Sequence, residues 1–511
     1  MSLVDQTALD RLRASLSSSA TVNLPGDPGY SVKRWALNAE RPAAVVACPA
    51  TAEDVVQILA FAQGKAPYES QQKLHLAIKC GGHTPSGASS SDGIVIDLNP
   101  QMHDVRVDPE AKLAYVGGGC LWENVDEATF KHGKSGLCVR NCWSYWCRYV
   151  GSPWFINRCL TLLFLIAGGL TLGGGYGWLC SQHGLVIDNL VQVTVVTSTG
   201  EILKASETEN ADLFWAVRGG GGNFGVATEF VIKVHDQRPD LYVLSLMYSP
   251  DAIAKVVPEI NAWLAERTSA EGAHIAFLMG PMGQPVFALQ LMYNGDPETG
   301  AKKFERFTQF ESLVTKPEVI PYLQLNHLKD ALVGHGACRS LQGSFVPDVP
   351  SGLPVELIVD TQKAWQQLIT DHPAAVRSAV VIELYHNEKW SSVPSDATAF
   401  AHRKPNHNVG YILTWEDPTF TEQAYKANLD LNAHFIKSRN THFPADATGE
   451  GGYTNYMDEE SRNATKEFAH RRFGKNFSRL VDIKRKYDPA NMFGRWFTVY
   501  NLNEARGEGL H

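Results

Sequence analysis

Three glycine clusters and one histidine are the residues whose types and spacing could do chemistry. Gly81-Gly82-His83 follows an apolar run, Leu74 to Ile78; Gly173-Gly174-Gly175-Tyr176-Gly177 and Gly219-Gly220-Gly221-Gly222-Asn223-Phe224-Gly225 come later. In such turns no side chain keeps the backbone N–H groups from a phosphate or a flat ring system. Tight turns joining strands are the plain alternative for any single cluster. Three clusters before residue 230 favour a large cofactor. Gly220, Gly222 and Gly225 satisfy GxGxxG, which binds dinucleotides when it opens a helix. Here Val226, Thr228, Phe230, Ile232 and Val234 follow at alternate positions, the pattern of a strand, so a nicotinamide site fails on context. His83 taken alone is compatible with capping a turn, binding a metal or doing neither. No second His, Cys or acid stands at ligand spacing to it, and no metal is expected.

The elements that must position these residues form two patterns. Residues 43–47 read as a strand. A helix follows with Thr51 as N-cap, Glu53 and Asp54 in its first turn, and Val55, Ile58, Leu59 and Phe61 on its apolar side. Leu74–Ile78 and Ile94–Leu98 read as strands, and Val105, Val107, Leu113 and Tyr115 as a hairpin turning at Asp108-Pro109. Val191–Thr197 is a further strand. From about residue 238 the glycine clusters stop. Strand-like runs (Leu241–Met247, His274–Leu278, Val286–Met292, Ala379–Leu384, Val409–Thr414) alternate with amphipathic helices (Asp251–Glu266, Thr421–Ser438). This predicts an antiparallel sheet covered on one face by helices. A terminal helix is expected around Phe473–Tyr487.

Composition limits the function classes. The 511 residues are 44% hydrophobic and 20% charged, a globular composition with room for two or three domains. A net charge of -8 provides no basic field to attract nucleic acid. The longest apolar run, Leu160 to Ile166 with its neighbours, is too short to span a bilayer. The N-terminus carries Asp5 and Asp10 and no apolar core of a signal peptide, so a cytoplasmic location is expected. Four of the nine cysteines (Cys138, Cys142, Cys147, Cys159) crowd together without paired CxxC spacing, which argues against zinc or a disulfide framework.

Taken in order, the motifs resemble a known family. Ile78-Lys79-Cys80-Gly81-Gly82-His83, Gly93 to Leu98, Gly117-Gly118-Gly119, Gly173 to Gly177 and Asp212 to Gly221 are similar to blocks of the FAD-linked oxidases of the vanillyl-alcohol oxidase superfamily. Phe473 to Leu480, Lys484 and Tyr487 to Phe493 resemble the berberine-bridge-enzyme C-terminal signature. The resemblance spans roughly residues 40–235 and 450–500. It implies an α+β fold: a PCMH-type FAD-binding domain in two parts, 1–237 and 450–511, around a substrate domain, 238–449. It implies FAD bonded through its 8α-methyl group to His83, with Gly81, Gly82, Gly173, Gly174, Gly175, Tyr176, Gly177, Asn476 and Asn491 also serving the cofactor. The Tyr-x-Asn-Tyr element at 453–456 makes Tyr453 the expected contact for the substrate's acidic proton, with Tyr456 beside it. Glu383 falls where members often place a base, but a solvated charge on a strand face is the plainer reading of it.

The implied reaction is hydride transfer to the flavin from a small alcohol, amine, sugar or secondary metabolite, with O₂ as the final acceptor. A flavoprotein that binds FAD without turnover is the alternative, favoured by Pro85, which stands where many members have Tyr. No second tether is expected, because Cys159 lies nine residues before Gly168, too far for the family's Cys-Gly-x-Gly-Gly element.

Residues 140–166 depart from the pattern altogether. Members carry a short link of the form GTVxHTGVGGL here, whereas Arg140 to Tyr149 is Trp- and Cys-rich without helical or strand period. With permitted codons, Arg140–Tyr149 read one base later spells GTVGHTGV and then the intron start GTACGT. Cys159-Leu160-Thr161 can spell the branch site CTAAC, and Ala167-Gly168 can supply the closing AG. The segment is therefore expected to be a splice error and not the natural protein sequence; a genuine inserted loop is the alternative. The restored link has Val at the second-tether position.

Overall fold

The computed structural model describes residues 4–135, 167–327, 335–444, 452–456, 466–496 and 499. The strands Val45–Cys48 and Leu76–Lys79 flank Ile94–Asp97 in parallel, and Thr21–Asn23 adds antiparallel to the outside of Val45–Cys48. Ile94–Asp97 is buried along its whole length, as a strand covered on both faces must be. The helix Ala52–Gln63 covers this sheet with Val55, Ile58, Leu59 and Ala62. Its N-terminus is a capping box: Thr51 accepts from the Asp54 N–H while the Asp54 carboxylate accepts from the Thr51 N–H, and Gly64 closes the helix at φ 61°.

A second, antiparallel sheet of five strands runs Val105–Asp108, Leu113–Gly117, Val226–Lys233, Leu190–Val196, Ile202–Ser206. The GxGxxG stretch thus leads into the central strand of this sheet, not into a helix. That excludes the dinucleotide-turn geometry.

The third sheet is antiparallel throughout, in the order Val314–Pro321, Asp240–Tyr248, Pro285–Tyr293, Glu271–Met279, Ala379–Tyr385, Asn406–Trp415, Cys338–Pro347. Helices Ile253–Glu266, Val355–Asp371 and Thr421–His442 cover one face. There Val256, Ile260, Trp365, Leu431 and Phe435 pack with Ile275, Ile382, Val409 and Tyr411. The resulting α+β architecture is the expected one. Two strands of the third sheet escaped the sequence reading. Val314–Pro321 is a half-exposed edge strand that tolerates Pro317. Cys338–Pro347 is buried on both faces, so its residues do not alternate in polarity.

After the sheet the chain returns to the first half of the molecule. Phe473, Phe477, Leu480, Ile483 and Tyr487 share a core with Leu213, Trp215, Phe224 and Phe230. No described helix is long and apolar enough to cross a membrane.

Candidate active site

A cavity of about 240 Å³ lies where these parts meet. Its wall takes His83, Thr84 and Pro85 from the first sheet's loop, and Gly118 and Phe230 from the second sheet. It continues through Gly168–Leu170, Tyr176, Gly221, Gly222 and Gly225, and closes with Tyr453, Asn455, Tyr456, Phe493, Arg495 and Trp496. Six wall residues are glycines, and nothing stands within 4 Å of where a Cβ would lie on Gly222. At Gly118 a Cβ would meet the Ala227 carbonyl oxygen at 2.2 Å. Bare backbone of this kind fits a large flat cofactor and its phosphates, and FAD meets that description.

His83 is held from two sides. Trp35 stacks on its imidazole, ring centroids 4.3 Å apart and 25° from parallel. The Trp35 backbone N–H donates to the Gly82 carbonyl at 3.0 Å. Gly82 adopts φ +66°, and a Cβ there would stand 2.7 Å from the buried Arg34 side chain. Arg34 in turn donates to the Ser89 hydroxyl at 3.1 Å and carbonyl at 2.6 Å. Cys80 also lines the cavity, but burial pushes its thiol pKa far up, so it stays protonated and is no nucleophile.

The Gly219–Gly225 loop is anchored from the C-terminal helix Phe477–Tyr487. Lys484 and Asp488, both fully buried, pair at 2.6 Å. The Lys484 ammonium also donates to the Asn223 carbonyl at 2.6 Å. The Asp488 carboxylate accepts the N–H groups of Met492 and Phe493 at 2.8 Å each. One ion pair thereby ties together two pieces of the cavity wall. Burial lowers the Lys484 pKa, and Asp488 offsets part of that.

The tyrosines come next. The Tyr456 hydroxyl donates to Glu383 at 2.8 Å, and the other carboxylate oxygen accepts the Asn408 amide at 2.8 Å. Glu383 is only 1% exposed, which overturns the sequence-based preference for a solvated charge. Tyr456 reaches it by lying on a glycine pair, Gly343 and Gly410, that face each other across neighbouring strands. A Cβ at Gly343 would meet the Tyr456 Cβ at 2.7 Å, and one at Gly410 the ring at 3.1 Å.

Tyr453 is arranged differently. Its oxygen accepts the Gly175 N–H at 2.9 Å and the Asn455 amide at 2.7 Å, and its ring packs edge-on against Tyr176 at 5.0 Å. The Gly173–Gly177 cluster is therefore packed mainly against the 453–455 segment. Thr454 donates to the Gly173 carbonyl at 2.8 Å, and a Cβ on Gly173 would strike the Asn455 side chain at 2.0 Å. Only Tyr176 of that cluster lines the cavity, and burial raises its phenol pKa well above the ordinary value.

Of the remaining expected cofactor residues, Gly81 and Gly82 shape the turn into His83 without lining the cavity. Asn476 donates to the Ser395, Thr398 and Ala399 carbonyls and is not on the wall. Asn491 takes the left-handed turn (φ 47°) that leads to Phe493. Trp35, Asn408, Gly343, Gly410, Lys484 and Asp488 were not singled out as site residues in the sequence. Lys484 and Asp488 stood inside the berberine-bridge-like signature, whereas the others are distant in the chain and belong to no motif. Residues 140–166 lie outside the described residues, but Gly168, Gly169 and Leu170 directly after them stand on the cavity wall. Among the described residues no cluster of His, Cys, Asp or Glu is placed to hold a metal.

Comparison with known proteins supports an FAD-linked oxidoreductase. Residues 42–138 match the FAD binding domain family and residues 452–495 the berberine and berberine-like family. The first match stops at the edge of the anomalous segment. The FAD-linked oxidoreductase pgmH of Aspergillus terreus is 29% identical over 98% of this chain and 97% of its own length. Among solved structures, BBE-like 1 of Physcomitrella patens superimposes with a TM-score of 0.76 at 20% identity, covering 97% of this chain and 100% of that one. Glucooligosaccharide oxidase of Acremonium strictum, which carries a 6-S-cysteinyl, 8α-N1-histidyl FAD, gives 0.75 at 20% identity over 97% and 99%. A glycine-walled cavity, a match to the FAD binding domain family and a returning berberine-like segment thus occur in one chain, an FAD-linked oxidoreductase that is similar to the berberine and berberine-like family.

Proposed function

We propose that the enzyme holds FAD covalently through His83 and oxidises a small hydroxyl- or amine-bearing molecule, with Tyr456 taking up the substrate's O–H or N–H proton. The carrying observation is the Tyr456–Glu383–Asn408 chain ending at the cavity wall. When bound, the flavin supplies the two-electron acceptor for a substrate C–H hydride. The protein supplies the proton path. Tyr456 accepts at its oxygen while passing its own proton to Glu383, to which it already donates. Asn408 keeps the second carboxylate oxygen occupied, which leaves the first aimed at Tyr456. Tyr453, with its oxygen engaged by Gly175 and Asn455, holds the wall and orients Tyr456, whose ring centroid is 5.1 Å away.

Leu170, Leu172 and Leu341 line the cavity. Leu341 lies two residues from Gly343 on the same face of its strand. These side chains favour a substrate with an apolar body, an alcohol or secondary metabolite over an oligosaccharide. Dioxygen is the proposed final acceptor. Histidyl attachment in the similarly folded oligosaccharide oxidase supports the role of His83.

The test is an anaerobic screen of alcohols, amines and sugars for bleaching of the flavin spectrum, then air readmission with peroxide detection. Tyr456→Phe is expected to slow flavin reduction about 10²-fold or more. An unchanged rate would reject Tyr456 as proton acceptor. Failure of every substrate class to bleach the flavin would favour a binding protein without turnover.

A further inference from the structure

Resting on the reading of His83 as the tether, we infer that Trp35, clamped by Arg339 of the substrate sheet, is the positioning residue that sets the plane of the His83 imidazole for its bond to FAD. Two groups pack on the Trp35 ring. The Arg339 guanidinium stands over it, 4.6 Å from the centroid, and the His83 imidazole stacks on it with centroids 4.3 Å apart. Such a cation–indole contact gains energy when desolvated, and Trp35 and Arg339 are 4% and 2% exposed.

The clamp continues along the backbone. Arg339 donates to the Trp35 and Ala337 carbonyls. Its N–H donates to Asn38 Oδ1 at 2.7 Å, and the Asn38 amide returns a bond to the Arg339 carbonyl at 2.9 Å. Leu37 N–H bonds the Ala337 carbonyl at 2.9 Å, and Ala36 bridges Ala337. The segment 34–39 is therefore seated on strand Cys338–Pro347 of the substrate domain, while Trp35 N–H holds the loop of His83. On one face of that strand Arg339, Leu341 and Gly343 alternate. They serve in turn the tether, the cavity wall and the seat of Tyr456. A single strand thus sets the tether against the proton acceptor.

Bond formation joins an imidazole nitrogen to the 8α carbon. One proton leaves that methyl group and one leaves the imidazole, and two electrons pass through the flavin to dioxygen, giving peroxide. The step needs the imidazole presented in one orientation, and misorientation costs rate steeply. Stacking on an indole face supplies that orientation, and a phenyl ring can replace it where an alkyl group cannot.

The test compares Trp35→Phe, Trp35→Leu and Trp35→Ala with the parent and with His83→Ala. Flavin fluorescence on denaturing gels gives the covalent fraction, and absorbance of the native protein gives total FAD. Trp35→Leu and Trp35→Ala should retain FAD but lose covalent flavin about tenfold or more, while Trp35→Phe stays within about twofold of the parent. Arg339→Gln should fall between. Covalent fractions equal to the parent in Trp35→Leu overturn the inference, as does a Trp35→Phe protein that binds FAD yet is as poorly linked as Trp35→Leu. If Trp35→Ala does not fold, the Phe and Leu variants decide alone. Covalent flavin persisting in His83→Ala would instead refute the tether reading itself.

Discussion

Lys484→Met removes the cation from a fully buried ion pair and leaves the Asp488 carboxylate without its counter-charge. Breaking such a pair from one side costs about 3–5 kcal/mol. The lost bond to the Asn223 carbonyl adds to this, whereas the two N–H groups of Met492 and Phe493 still solvate the carboxylate. A net cost of about 3 kcal/mol is therefore the working value. At roughly 2–4 °C per kcal/mol for a unit of 150–250 residues, Tm should drop by about 6 °C or more. The same change releases the Gly219–Gly225 loop and the 491–496 turn, both of which reach the cavity. In a His83→Ala background, where FAD can exchange, Lys484→Met should weaken FAD binding about tenfold, or about 1.4 kcal/mol. Thermal unfolding followed by tryptophan fluorescence and titration of apoprotein with FAD give the two numbers. Lys484→Met/Asp488→Asn, which removes both charges, should recover part of the lost Tm. The reasoning is refuted by a Lys484→Met protein within about 2 °C of the parent, or by a double variant whose loss equals the sum of the single losses.

Gly343→Ala should displace Tyr456 from Glu383 and lower the rate of flavin reduction about tenfold with Glu383 intact; stopped-flow reduction checks it. Stability should fall on acidification from pH 6.5 to about 4. Burial, then the stacked His235, lowers the His183 pKa from 6.5 to about 4, and burial, then Arg472, does the same for His402. Below pH 6.5 the unfolded chain takes up protons that the native histidines refuse until about pH 4, so acid favours unfolding across that window. A Tm–pH curve flat over that range, or one unchanged in His183→Gln/His402→Gln, contradicts this. Sequencing the transcript should show residues 140–166 replaced by the short link; an mRNA encoding them as they stand establishes a real insertion.

Local sequence determined what depends on short range. Thr51 and Asp54 dictate a capping box, the alternation from Val226 to Val234 dictates a strand, and so GxGxxG could be set aside before any coordinates. The seven-stranded antiparallel sheet was legible from its apolar runs, except where an edge strand was half exposed or a strand was buried on both faces and lost its alternation. His83 was visible as a residue after two glycines, but its neighbour Trp35 was not, because the two stand 48 positions apart and meet through the Trp35–Gly82 bond and the ring stack. Likewise Glu383 read as a surface charge until folding placed Asn408, Tyr456 and two facing glycines around it. Periodicity records which side of an element is apolar, a property of neighbours along the chain. Which buried carboxylate meets which hydroxyl is decided by the pairing of strands and the return of the C-terminal segment, and no local pattern encodes that.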